Sequence, residues 1–146
     1  MALSEYRLRR RVHFHETDVA GIVHFSVFFK YMEEAEHAMW REAGLSIHAV
    51  GDNIGWPRVA SAFEFYRPLR FEDEFDVHLR ITEMTNKTIR YECTLTKNDE
   101  KIASGSMTIA RVQKKPTMRG IEIPRDVRDR IGPYSAAPAA MPSEGL

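Results

Sequence analysis

The spacing of apolar residues changes along this chain, and the change restricts the folds that the sequence can adopt. Between residues 26 and 43 apolar residues recur every three or four positions, which predicts an amphipathic helix of about five turns. Residues 75–82 and 89–96 instead alternate between apolar and polar side chains, which predicts neighbouring antiparallel strands with one buried face. The chain therefore combines one long helix with a sheet.

Three more segments complete the predicted sheet. Residues 6–14 also alternate and are predicted to form a strand at its edge, and residues 59–66 and 101–113 are predicted as further strands. Residues 98–100 are predicted to make a tight hairpin connection, and Gly105 to mark a bulge or a close approach of two backbones.

The ends of the long helix also carry signals in the sequence. Ser26 is a predicted N-cap, and Gly44 stands where a left-handed residue usually ends a helix. A short second helix is predicted at residues 125–131, with Pro124 suited to the first helical position.

One long helix and about five antiparallel strands can bury their apolar faces in few ways, and a curved sheet wrapped around the helix is the simplest. We therefore predict an α+β fold with a single domain at residues 1–132. The Ala- and Pro-rich residues 133–146 are predicted to be a disordered tail. A free edge strand predicts pairing with a second copy, so we expect at least a dimer.

Composition argues against several classes of function. The chain has 146 residues, 43% hydrophobic and 29% charged, which suits one domain with a core. Lys and Arg number 21, as do Asp and Glu, so no net field attracts nucleic acid or an anionic membrane. The sequence has neither the apolar core of a signal peptide nor a run of about 20 apolar residues, so we expect a cytoplasmic protein. Cys93 is the only cysteine, which excludes an internal disulfide.

The segment FHETDVAGIVHF, at residues 14–25, carries the strongest chemical signal. It places Asp18 a few residues before the predicted start of the long helix. Exposed N–H groups at a helix N-terminus are ready donors to a developing oxyanion, and a nearby carboxylate can act on the same substrate. The pair indicates acyl transfer or hydrolysis. The alternative is that Asp18 only accepts a hydrogen bond from its own loop backbone.

The same segment and several later positions resemble one known family. The matching residues are Phe14, Glu16-Thr17-Asp18, Gly21, Ile22-Val23, His24-Phe25, Glu33, Gly44-Leu45, Tyr66-Arg67-Pro68, Asp73 and residues 121–124. In this order they resemble the hotdog-fold acyl-CoA thioesterases of the 4-hydroxybenzoyl-CoA thioesterase type, over residues 7–131. Two positions depart from the family pattern: Glu16 stands where Asp is usual, and His24-Phe25 stands where many members have Tyr-His. The His24-Phe25 pair is similar to the pattern at this position in thioesterases that act on aromatic acyl-CoAs such as dihydroxynaphthoyl-CoA.

The resemblance implies roles for the loop and the helix start. Asp18 is implied as the catalytic carboxylate, acting either as a general base on water or as the nucleophile. Gly21 is implied to let the loop turn so that a backbone N–H, most plainly that of Phe25, points at the thioester oxygen. Val23 and His24 are implied in the oxyanion and acyl site, although His24 has a structural role as its alternative.

Other implied roles lie further from Asp18. Thr17 and Glu33 are implied as supporting residues, whereas Glu34 is interpreted as part of a solvated helix face. Lys87, Thr88 and Arg119 match positions that contact the CoA nucleotide in the family. Lys114 and Lys115 are implied to add to these contacts.

We expect no cofactor apart from the CoA of the substrate, and no metal. His13 and His15 have a spacing that suits two metal ligands, but no third ligand is evident in the sequence. The predicted partner is a small acyl-CoA, with acyl carrier protein as an alternative carrier, and the predicted assembly is a homodimer or a homotetramer built as a dimer of dimers. Two alternative functions are a non-catalytic acyl-CoA sensor and a hotdog-fold enoyl-CoA hydratase, which pairs Asp with a following His.

Overall fold

The computed structural model describes residues 2–48 and 51–134. Two α-helices and a single turn of 3-10 helix at Phe14–Glu16 accompany the strands. The elements are β1 (Glu5–Arg11), α1 (Phe25–Glu42), β2 (Ile54–Gly55), β3 (Arg58–Phe65), β4 (Glu74–Met84), β5 (Thr88–Lys97), β6 (Glu100–Ala110), β7 (Val112–Gln113), β8 (Arg119–Gly120) and α2 (Arg125–Arg130).

The main sheet has five antiparallel strands in the order β1-β4-β5-β6-β3, and α1 packs against one of its faces. This confirms the predicted α+β fold with one main helix. The predicted strand count was too low, because the described residues contain eight strands. The three extra strands have two residues each and form a small second sheet in the order β2-β7-β8.

The core lies between α1 and the inner face of the main sheet. Alternate residues of β4 and β5 are fully buried, which confirms the alternation in the sequence. The helix contributes the predicted apolar stripe and also buries Trp40, whose indole N–H donates to the Tyr91 hydroxyl at 2.9 Å. The fully buried aromatic side chains are Tyr31, Trp40, Phe75 and Tyr91.

Several boundaries differ from the predictions for local reasons. The strand predicted at residues 6–14 ends at Arg11, since the chain then turns into the 3-10 helix. The strand predicted at residues 101–113 breaks at Arg111, whose N–H donates to the Lys87 carbonyl, and the chain continues into the small sheet. Pro124 is the N-cap of α2 and not its first helical residue.

The hairpin after β5 confirms its prediction, because Asn98 and Asp99 both have positive φ angles, of 50° and 65°. Such angles suit a two-residue turn between antiparallel strands. At the other end of the described chain, the Tyr134 N–H donates to the Ile81 carbonyl at 2.6 Å. Residues 135–146 of the predicted tail lie outside the described residues. None of the helices in the described part of the chain has the length and apolar character to span a membrane.

Gly105 lies on β6 directly opposite Phe63 of the neighbouring strand β3. A Cβ atom there would lie 2.7 Å from Cε1 of Phe63 and 2.8 Å from the Ala62 carbonyl oxygen. The register runs without interruption through Gly105, so the predicted close approach is confirmed and the predicted bulge is not found.

We expect Gly105→Ala to lower the free energy of unfolding by about 1–3 kcal/mol, because the Ala62 backbone cannot move aside without disturbing the sheet. Urea unfolding at equal protein concentration measures the change. Gly55→Ala is the matched control, since its Cβ would meet Val112 Cγ2 at 3.4 Å, which is an ordinary contact. Equal unfolding midpoints for the two variants would contradict the prediction.

Candidate active site

The loop between the 3-10 helix and α1 is a closed hairpin around Asp18. The Asp18 N–H donates to the Ile22 carbonyl and the Gly21 N–H donates to the Asp18 carbonyl, each at 2.9 Å. Gly21 has a φ of +80°, a conformation that side chains other than glycine rarely adopt. The predicted turn at Gly21 is therefore present, and it fixes the position of the Asp18 backbone from both sides.

The Asp18 side chain is anchored through one of its two oxygens. Oδ1 accepts the Ala20 N–H at 2.8 Å, which is the local turn contact that we weighed as the structural alternative. Oδ2 has no hydrogen-bond partner within the described ranges. The carboxylate is thus held in one orientation while one oxygen stays free for another molecule.

The N-terminus of α1 lies beside this loop. The helix begins at Phe25, with His24 and not the predicted Ser26 as its N-cap. The Ser26 N–H donates to His24 Nδ1 at 3.2 Å, and the Val27 N–H donates to the His24 carbonyl at 2.9 Å. The Phe25 N–H has no acceptor in the part of the chain that the structure describes.

Asp18 and the helix start line one groove of about 520 Å³. Most of its wall is apolar. Phe65 is the last residue of β3 and Tyr66 follows it, and these two residues are 47% and 51% exposed. Val23 and Phe25 line it as predicted, but His24 does not. The lining residues are Asp18, Ile22, Val23, Phe25, Phe28, Phe65, Tyr66, Arg67 and Pro68.

A buried carboxylate holds the loop against the rest of the fold. Glu16 is 5% exposed, and its side chain accepts hydrogen bonds from the His13 N–H and the Tyr31 hydroxyl, both at 2.8 Å. Arg10 Nη2 lies 2.6 Å from Glu16 Oε2. The backbone carbonyl of Glu16 accepts the His24 N–H at 3.0 Å. One residue therefore joins β1, α1 and both sides of the Asp18 loop.

A family model described as the thioesterase-like superfamily matches residues 12–131 of this chain. The chain belongs to the thioesterase-like superfamily. The resemblance seen in the sequence is therefore confirmed at the level of the family.

Individual relatives agree with this assignment. The structure of a gentisyl-coenzyme A thioesterase is similar with a TM-score of 0.76 and 32% identity, over 84% of this chain and 98% of that one. A hypothetical protein from Aquifex aeolicus has a TM-score of 0.79 and 30% identity, over 85% of this chain and 97% of that one. A 1,4-dihydroxy-2-naphthoyl-CoA hydrolase from Crocosphaera subtropica is 29% identical over 103 residues, which cover 68% of this chain and 75% of that protein.

In this thioesterase-like protein, burial and neighbouring groups have opposite effects on the pKa values of Glu16 and Arg10. Burial alone would raise the pKa of Glu16, but Arg10, the His13 N–H and the Tyr31 hydroxyl together hold that pKa below its usual value. Burial alone would lower the pKa of Arg10, and Glu34 and Glu16 raise it instead. Glu34 accepts a hydrogen bond from Arg10 Nε at 2.8 Å, a contact that the sequence did not predict, while its side chain stays 43% exposed.

Glu33 lies away from the Asp18 groove of its own chain. It contacts Arg58, whose Nη2 lies 3.0 Å from Glu33 Oε2 and 2.6 Å from Glu36 Oε1. Glu36 is fully buried on the apolar face of α1. The sequence analysis did not identify it, because that face was expected to carry apolar residues. Burial raises the pKa of Glu36 despite the nearby Arg58 guanidinium. Thr17, the other predicted supporting residue, donates to the Phe14 carbonyl at 2.8 Å and so closes the 3-10 turn.

The predicted CoA-binding residues come together, but at the other end of the main sheet. Lys87 and Thr88 lie at the β4–β5 connection, and a Cβ on Gly120, the residue after Arg119, would lie 3.4 Å from Lys87 Cδ. β3 has eight residues, so its two ends are about 20 Å apart. Lys87, Thr88 and Arg119 lie near its Arg58 end, whereas Asp18 lies near its Phe65 end.

One group of side chains has the spacing of metal ligands. The ligand atoms of His13, His15 and Glu16 lie within 4.8 Å of one another, so Glu16 is a candidate third ligand that we did not identify in the sequence. However, both Glu16 oxygens already accept hydrogen bonds from Arg10. A cation at this point would lie against the Arg10 guanidinium, which disfavours metal binding by this group.

We expect Glu16→Gln to lower the free energy of unfolding by about 2–3 kcal/mol at neutral pH, because it removes one buried partner of Arg10. Urea unfolding measures the change. Glu74→Gln is the control, since Glu74 pairs with Arg9 on the surface and its loss is expected to cost less than about 1 kcal/mol.

The same variant predicts a pH dependence. The pKa of Glu16 is lower in the folded protein, so its stabilising effect is complete above the unfolded glutamate pKa of about 4.3 and is lost as the pH falls through the folded value. The difference in stability between the unaltered protein and Glu16→Gln should therefore shrink as the pH falls below about 4. A difference that stays constant or grows in acid would contradict this.

Proposed function

We propose that this protein hydrolyses an acyl-CoA to the free acid and CoA in the groove that Asp18 lines. The observation that carries the proposal is that two residues line one mostly apolar groove: Asp18, with an anchored carboxylate, and Phe25, whose N–H at the helix N-terminus has no acceptor among the described residues. Thioester hydrolysis needs these two groups and a binding cleft, because the thiol is already a good leaving group. The family assignment and the named relatives favour this function over the sensor and hydratase alternatives.

In this proposal the Phe25 N–H donates to the thioester oxygen as negative charge develops there. Asp18 then has two possible roles that use the same atoms. As a general base it removes a proton from water, the water oxygen bonds to the carbonyl carbon, and the carbon–sulfur bond breaks to release CoA. As a nucleophile its oxygen bonds to the carbonyl carbon and displaces CoA, and water then hydrolyses the mixed anhydride. Neither route calls for a cofactor.

The groove walls favour an aromatic or a short to medium apolar acyl group. Phe25, Phe28, Phe65 and Tyr66 present rings around the groove, and rings of this kind pack well against a planar acyl group. Relatives named for gentisyl-CoA and for 1,4-dihydroxy-2-naphthoyl-CoA support an aromatic substrate. Acyl carrier protein carries the same pantetheine arm, so a panel of substrates should include both carriers.

We expect Asp18→Asn and Asp18→Ala to lower kcat/KM for thiol release by at least about a hundredfold, because each removes the base or nucleophile. A panel of aromatic and aliphatic acyl-CoAs, followed with a thiol reagent, measures the loss. Asp126→Asn is the matched control, since Asp126 is an exposed carboxylate on α2. Full activity in both Asp18 variants, with folding and assembly unchanged, would show that the chemistry lies elsewhere.

We propose further that two copies assemble to complete each site. Within one chain the basic residues lie about 20 Å from Asp18 along β3, so the nucleotide and the thioester bind at opposite ends of that strand. The outer edge of β3 has no partner strand among the described residues, and most of its side chains are exposed. An unpaired edge of this kind is suited to pairing with another strand.

Antiparallel pairing of β3 with the same strand of a second copy would bring the basic residues of one copy close to Asp18 of the other. A two-fold axis that lies between the two β3 strands, level with their midpoints, places the Phe65 end of one copy beside the Arg58 end of the other. Lys87, Thr88 and Arg119 of the second copy then lie near the Asp18 groove of the first, together with Glu33. A dimer would thus contain two equal composite sites, and two dimers would form the expected homotetramer.

Mixing two inactive variants tests this arrangement. We expect Asp18→Asn to lack chemistry and the double variant Lys87→Glu/Arg119→Glu to bind acyl-CoA weakly. A mixed dimer then contains one site with an intact Asp18 and intact basic residues from the other chain. After subunit exchange, activity should recover to about a quarter of that of the unaltered protein, since half of the dimers are mixed and each has one intact site. No recovery, with mixed dimers confirmed by native mass spectrometry, would place both groups in one chain's site.

A further inference from the structure

We propose that His24 is a positioning residue that caps α1 and leaves the Phe25 N–H as the donor for the thioester oxygen. This inference rests on the proposed function of the Asp18 groove. It replaces the role in acyl binding that the sequence resemblance implied for His24.

The first observation is the direction of the imidazole ring. His24 Nδ1 lies 2.8 Å from Ser26 Oγ and accepts the Ser26 N–H at 3.2 Å. A nitrogen that accepts a backbone N–H carries no proton itself, so the neutral ring has its proton on Nε2. His24 therefore acts through Nδ1 as the side-chain N-cap, a role that Ser, Thr, Asn or Asp usually fills.

The second observation is how the first turn of α1 distributes its donors. The Ser26 N–H is used by the His24 side chain and the Val27 N–H by the His24 carbonyl. Among the described residues nothing accepts the Phe25 N–H, although Phe25 lines the groove. Because His24 accepts the N–H groups of Ser26 and Val27, the Phe25 N–H is the donor of this turn that remains for a ligand.

The third observation is that His24 is held from the side of the loop as well. Its N–H donates to the Glu16 carbonyl at 3.0 Å, and its ring packs on the Phe25 ring with centroids 4.6 Å apart. His24 itself does not line the groove. The residue therefore joins the buried Glu16 to the helix start, and a contact with the acyl group is not needed to explain it.

Three substitutions separate capping from acyl contact. His24→Asn and His24→Ser each supply a good N-cap oxygen without an imidazole ring, whereas His24→Ala supplies none. We expect His24→Ala to lower kcat about tenfold or more while KM changes less than about twofold, since the donor is displaced but the groove walls remain. His24→Asn and His24→Ser should keep kcat within about threefold of the unaltered protein.

The outcomes are distinct. An unchanged kcat in His24→Ala, with only lower stability, would show that the cap is merely structural and would overturn the inference. A raised KM in the two capping variants would do the same by indicating acyl contact. These two variants keep the test decisive even if His24→Ala does not fold. Failure of the proposed function shows separately, because Asp18→Asn would then retain activity whatever the His24 variants do.

Discussion

The buried carboxylate of Glu16 is the contact on which the site depends. It is almost inaccessible to solvent, yet it is stabilised by Arg10 from β1, Tyr31 from α1 and the backbone of His13. A buried charge is tolerated only when such partners replace the water it has lost. Since its carbonyl also accepts the His24 N–H, one residue sets the position of the Asp18 loop and the start of α1.

In our proposal, the contacts that hold the site in place are made by other groups than those that react with the substrate. The loop hairpin, the capped helix start and the Glu16 contacts fix Asp18 and the Phe25 N–H before any ligand arrives, which is the condition for electrostatic catalysis without reorganisation. Among the described residues, the exposed rings of the groove and the edge of β3 are two surfaces that have no partner. In our proposal a substrate covers the rings of the groove and a second copy covers the edge of β3, so assembly of the dimer and binding of the substrate are linked.

The sequence predicted those parts of the structure that follow from local pattern. The period of α1, the alternation of β4 and β5 and the left-handed Gly44 are each determined by residues close in the chain. The helix start was wrong by one residue, and its cap by two, because Ser is the commoner cap. The bond from His24 to the Glu16 carbonyl, which the sequence does not reveal, moves the start of the helix toward the loop.

Other features depend on residues far apart in the chain. The contact of Glu34 was not predicted because its partner Arg10 lies on β1, 24 residues away, and Glu36 was missed because its partner Arg58 is 22 residues away. Periodicity identifies which side of a helix is buried, but it cannot identify a polar residue that is buried because a distant charge meets it. The separation of the basic residues from Asp18 likewise follows only from strand order.

A crystal structure with a non-hydrolysable acyl-CoA analogue tests the central claim most directly. The account predicts the acyl carbonyl oxygen within hydrogen-bond distance of the Phe25 N–H, Asp18 beside the carbonyl carbon, and the nucleotide against Lys87 and Arg119 of a second copy. An analogue bound with its carbonyl away from Asp18 and Phe25 would contradict the proposed site. A nucleotide held by Lys87 of the same chain that supplies Asp18 would contradict the composite arrangement.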